Sequence, residues 1–135
     1  MKDSLRPGLT HAESRHIDRE RTISFMGEAL RIYGTPEMLR DIEHTCRNLL
    51  AAHCDPGEDS VGVGAAFDHT AATPLGMDVR IEVTVTAVNG RRVELAVTAR
   101  DAIEPICTGT HSRFVVDVAR AKQRLDDKIA RWRGK

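Results

Sequence analysis

The sequence predicts an α+β domain in which one buried helix comes early and a meander of long antiparallel strands follows it. Two patterns and one dipeptide carry this prediction. Met38, Leu39, Ile42, Cys46, Leu49 and Leu50 recur at helical spacing. Later, Val79, Ile81, Val83 and Val85, and then Val93, Leu95, Val97 and Ala99, alternate with polar residues at period two. Between those two runs stands Asn89-Gly90, the strongest short signal for a hairpin.

The elements follow in chain order. Residues 1–20 are polar and weakly patterned, and are expected to form a loosely structured lead-in with a short strand near residues 10–17. The main domain is expected over residues 21–118, and it begins with apolar positions (Ile23, Phe25, Met26, Leu30, Ile32, Tyr33) that show no clean period. Gly34-Thr35-Pro36 reads as a helix start, with Thr35 as N-cap and Pro36 at the first helical position, where its missing N–H costs nothing. At about 100° per residue the apolar positions of this helix cover an arc of roughly 120°, and Glu43 falls on its margin. The helix is expected to end near His53 and Cys54, ahead of the breaker Asp55-Pro56-Gly57. A Gly- and Ala-rich strand is expected over residues 59–69, and Thr73-Pro74-Leu75-Gly76 turns the chain. A second turn at residues 101–104 leads into a last strand over residues 106–118, and a polar helix closes the chain within residues 119–135.

Composition narrows the function classes. Of the 135 residues, 41 % are hydrophobic and 30 % charged, as in an ordinary soluble domain. Lys plus Arg and Asp plus Glu number 20 each, so there is no sustained basic field for nucleic acid or a membrane surface. No apolar run approaches the roughly 18 residues that span a bilayer, and the first residues lack the apolar stretch of a signal peptide. Cys46, Cys54 and Cys107 are odd in number and widely spaced, which suits reduced core thiols better than disulfides or a zinc site. A cytoplasmic location is the expectation.

Three strings resemble the fluoroacetyl-CoA thioesterase family and its wider hot-dog relatives. One is Thr35-Pro36 with Glu43 eight residues after the threonine. The most specific is Pro56-Gly57-Glu58-Asp59-Ser60-Val61-Gly62 leading into His69-Thr70-Ala71-Ala72-Thr73-Pro74. The third is Asn89-Gly90-Arg91-Arg92 with Gly109-Thr110-His111-Ser112-Arg113. They run in order over about residues 20–118, and the opening Met1-Lys2-Asp3 and Arg6 also look similar. The resemblance implies a hot-dog fold, a central helix wrapped by a curved antiparallel sheet, and assembly as at least a homodimer with sites at the subunit interface. Carried over residue by residue, it implies Thr35, Glu43 and His69 as the catalytic trio, with Gly62 and Arg113 binding substrate. One departure bears on selectivity. The fluorine-selective enzyme has a lid phenylalanine upstream of the catalytic threonine, whereas here residues 22–35 are shortened and a straight count back lands on Ala29. Thioesterase chemistry is therefore expected without the fluoroacetyl specificity.

These residue types suit that chemistry. A thioester carbonyl needs a nucleophile, a base and donors for the developing oxyanion. A threonine hydroxyl is weak at neutral pH and needs a neighbouring base, and a histidine with an ordinary pKa near 6.5 takes and returns a proton readily. Glu43 either orients His69, as the acid does in other triads, or activates water while Thr35 binds the carbonyl. No Gly-x-Ser-x-Gly, phosphate loop or paired-histidine metal motif is present. No metal and no cofactor is expected, coenzyme A entering only as part of an acyl-CoA or acyl-carrier thioester. The alternatives are a hot-dog hydratase or dehydratase acting on acyl-CoA, against which the hydroxyl of Thr35 argues, and a non-catalytic acyl-CoA-binding member of the fold.

Overall fold

The structure, a computed structural model, describes residues 1–134. Strand β1 (Thr10–His16) comes first, followed by the two-residue strands β2 (Thr22–Ile23) and β3 (Ile32–Tyr33), which pair with each other. Helix α1 (Thr35–Ala51) precedes the four long strands β4 (Glu58–His69), β5 (Asp78–Asn89), β6 (Arg92–Arg100) and β7 (Pro105–Asp117), and α2 (Val118–Arg133) closes the chain. The main sheet is antiparallel throughout, in the order β1-β5-β6-β7-β4.

Periodicity explains the core. Val79, Ile81, Val83 and Val85 of β5 and Val93, Leu95, Val97 and Ala99 of β6 are all buried, while the residues between them are not. Onto this face α1 lays Met38, Ile42, Cys46, Leu49 and Leu50, all buried. A long helix on a five-stranded antiparallel sheet is the expected hot-dog arrangement. The hairpin between β5 and β6 turns on Gly90 and Arg91, one residue later than an Asn-Gly turn would. Gly90 at φ 61° takes the first central position, where a type II′ turn requires glycine.

The start of the chain differs from the expected lead-in. β1 pairs with β5 over its whole length, from Thr10 opposite Thr84 to His16 opposite Asp78, and Leu5 and Ile17 are buried in the core. The short strand expected there is an integral edge of the sheet. Its inward positions, opposite buried Val83, Ile81 and Val79 of β5, are His11, Glu13 and Arg15. Arg15 faces a buried carboxylate on α1, Asp41, which accepts from Tyr33 Oη at 2.5 Å and Arg21 Nε at 3.0 Å and lies 3.5 Å from Arg15 Nε. Removing one member of a buried ion group strands the others, so Asp41→Ala is expected to lower unfolding free energy by about 3 kcal/mol in urea denaturation.

At the far edge β4 has no strand neighbour beyond it among the described residues, and Val61 to Ala66 are exposed along it. α2 buries none of its residues, and no helix among the described residues is long and apolar enough to cross a membrane.

Candidate active site

α1 begins without a side-chain cap. Gly34 is the N-cap residue, Thr35 the first helical residue, and Pro36 follows. Thr35 was expected at the cap; one position further in, its hydroxyl makes no capping bond and lies 2.8 Å from His69 Nδ1. His69 ends β4 and stands edge-on to Tyr33, ring centroids 6.4 Å apart at 82°. That contact and the hydroxyl of Thr35 hold the imidazole plane. Its Nε2 is buried and has no hydrogen-bond partner among the described residues. When Thr35 donates to Nδ1, the ring proton resides on Nε2. Burial pushes the pKa of His69 below the ordinary histidine value, so the ring is neutral at pH 7, the form a base requires. A cleft of about 300 Å³, walled by Ile23, Ile32, Ala71 and Ala72, opens on this pair.

Glu43 lies elsewhere. Eight residues along a helix amount to about 12 Å of rise and about 80° of rotation, so Thr35 and Glu43 of one chain do not converge. Among the described residues Glu43 faces Arg113, with Oε2 3.6 Å from Nη1, and it lines a second cleft with Ala65, Phe67 and His111. Arg113 was expected to touch substrate. It is 3 % exposed, donates to Ser60 Oγ at 2.8 Å and to the Ser60 carbonyl at 2.7 Å, and lies 3.2 Å from His111 Nε2. That leaves it as the cation beside Glu43 rather than an open ligand for an acyl group.

Gly62 sits opposite Arg113 in the β4–β7 register, next to an irregularity between Gly62 and Gly64. A Cβ at Gly62 would lie 2.3 Å from Glu43 Oε2 and 3.2 Å from His111 Cε1. The missing side chain is the room in which the carboxylate rests. Gly62→Ala is expected to push the half-exposed Glu43 aside, with little change in thermal stability but a loss of roughly 10²-fold in kcat. The thiols stand outside this chemistry, since burial raises the pKa of Cys46 to about 12 and of Cys107 to about 11. No group of three or more His, Cys, Asp or Glu among the described residues is arranged to hold a metal ion.

The structure thus joins Thr35 to His69, joins Glu43 to Arg113 and Gly62, and keeps the two groups apart within one chain. Sequence reasoning missed Asp41, Tyr33 and His111. For His111 a signal was available, because residues two apart on a strand share a face, and Arg113 was already singled out.

The sequence profile of the fluoroacetyl-CoA-specific thioesterase family matches residues 17–119. The chain belongs to that family. It is 29 % identical to the fluoroacetyl-CoA thioesterase of Streptantibioticus cattleyicolor, over 95 % of this chain and 97 % of that one. Among solved structures, a single-substitution variant of the fluoroacetyl-CoA-specific thioesterase superposes with a TM-score of 0.85 at 29 % identity, covering 94 % of this chain and 99 % of that one. A hypothetical thioesterase-superfamily protein of Thermus thermophilus superposes at 0.89 and 22 % identity, covering 97 % and 98 %, and supports the fold alone. As a member of the fluoroacetyl-CoA-specific thioesterase family, the protein is a hot-dog thioester hydrolase.

Proposed function

We propose that the protein hydrolyses a small acyl-CoA thioester at a site assembled between two copies of the chain. The observation that carries this reading is the placement of the two half-sites along one free edge. His69 ends β4, Gly62 lies seven residues earlier, and the strand between them has no neighbour on its outer side among the described residues. Antiparallel pairing of two β4 edges about a two-fold axis near Ala65 and Ala66 would set Gly62 of one copy opposite the partner subunit's His69. The intervening residues are small (Gly62, Gly64, Ala65, Ala66), which lets the two backbones approach. An exposed twelve-residue edge is otherwise a liability that folds cover.

In this reading Thr35, its proton taken by His69 Nδ1, attacks the thioester carbonyl. Collapse of the tetrahedral intermediate expels the thiolate, which recovers the proton from His69. Glu43 of the other copy, which faces Arg113, draws a proton from the water that attacks the acyl group, and that proton passes to Thr35 Oγ1 as the acid leaves. These side chains supply every proton transfer, and no cofactor is called on. The Thr35 cleft is small and apolar, which suits a short acyl group. Its walls include no counterpart of the lid phenylalanine, so preference for fluoroacetyl-CoA is not expected.

The test is a panel of acyl-CoA esters from acetyl to hexanoyl, with fluoroacetyl-CoA included, assayed for thiol release. Turnover of short esters with no special preference for the fluorinated one supports the proposal. No thiol release above the blank from any ester, or conversion of enoyl-CoA without thiol release, would contradict it.

A further inference from the structure

His111 projects from β7 onto the inner face of the sheet and is 4 % exposed. Its Nδ1 is 2.8 Å from the carbonyl oxygen of Gly64, and its Nε2 is 3.2 Å from Arg113 Nη1. A carbonyl only accepts and a guanidinium only donates, so these partners admit one form of the ring: neutral, with the proton on Nδ1. Both contacts matter to the Glu43 half-site. Gly64 flanks the register shift that sets Gly62 opposite Arg113, and Arg113 Nη1, which His111 holds, is the nitrogen that faces Glu43 at 3.6 Å.

Resting on the proposed thioesterase site, we infer that His111 is a positioning residue: a strut that ties the β4 irregularity beside Gly62 to the guanidinium facing Glu43. It acts through Arg113 and Gly64.

Burial favours the neutral ring, and so does the charge of Arg113 on its own strand. The Gly64 carbonyl, Glu43 of α1 and Glu94 of β6 act in the opposite sense. The net shift is downward from the ordinary histidine value. Protonation at low pH would put an N–H against the guanidinium, break the strut and release Arg113 from its place. Two histidines must therefore be neutral for turnover, His69 as base and His111 as strut. The acid limb of the deacylation rate against pH should be steeper with His111 present than with an uncharged side chain of the same reach in its place.

The test uses two substitutions and one spectroscopic measurement on the full chain. Asn places an amide N–H where Nδ1 stood and keeps the Gly64 bond, but it stops short of Arg113. Gln reaches the position of Nε2 and restores an acceptor there. His111→Asn is expected to lower kcat about 30-fold while kcat/KM for thiol release stays within about twofold. His111→Gln should recover most of that loss and flatten the acid limb of the deacylation rate. Ring-nitrogen NMR shifts should report the neutral Nδ1–H form of His111 in the unsubstituted protein, whatever its activity. Equal losses in both variants that track a fall in Tm, or the same acid limb of deacylation in His111→Gln as in the unsubstituted protein, would overturn the inference. If thiol is released but His111 carries its proton on Nε2, the strut fails and the thioesterase site stands. If the expected tautomer is seen but no ester is hydrolysed, the thioesterase reading fails and takes the positioning role with it.

Discussion

His69→Ala is expected to lower kcat for a short acyl-CoA by about 10²–10⁴-fold, the usual contribution of a positioned base. The fold should survive, because the ring lies at the end of β4 beside a cleft and its Nε2 has no hydrogen-bond partner among the described residues. The loss should appear in the first turnover as well as in the steady state, since the hydroxyl of Thr35 loses the nitrogen that lies 2.8 Å away. Thr35→Ala is expected to match it, and the double variant should be little worse than either single one, as for residues that act as a unit. In the unsubstituted protein the activity should persist somewhat below pH 6.5, because burial lowers the pKa of His69 and its neutral form survives further into acid. Rapid-quench measurement of thiol release over pH 5–8 checks both statements.

Glu43→Gln is expected to slow steady-state turnover by a similar factor, about 10²–10⁴, but to leave the first thiol release intact. The amide keeps the shape of the side chain in the space above Gly62 and loses the charge opposite Arg113. Without a base for water, the acyl group should remain on Thr35. The variant should then show a burst of one thiol per site and a mass increase equal to the acyl group. This contrast with His69→Ala separates the roles of the two half-sites, which a steady-state rate alone does not.

Much of the fold was legible because burial follows period. β5 and β6 alternate cleanly, and α1 places its apolar residues on one arc. β1 was harder for a physical reason. Its inward positions are His11, Glu13 and Arg15; Glu13 and Arg15 find polar partners on the helix and His11 pairs with Glu13, so no alternation of hydropathy marks the strand. The resemblance singled out a set of residues, and not a geometry. Helical spacing alone already separates Thr35 from Glu43 by about 12 Å, which argues that a trio containing both must draw on two chains. Asp41 gave no signal because Arg21, which buries it together with Tyr33, lies 20 residues away, and His111 was legible only as a neighbour of Arg113 on one strand face, since its bond to Gly64 joins residues 47 apart.

Assembly of the site between two copies is tested most directly by complementation. One chain carries Thr35→Ala and His69→Ala, the other carries Glu43→Gln, and each is inactive as a homodimer. The two are unfolded together in equal amounts, refolded and assayed for steady-state thiol release. If Thr35 and His69 of one copy work with Glu43 of the other, half the dimers are mixed and each has one intact site, so activity returns to about a quarter of the unsubstituted level. If all three residues serve within one chain, every site in the mixture carries a defect and activity stays at the blank, a result that would contradict the shared site.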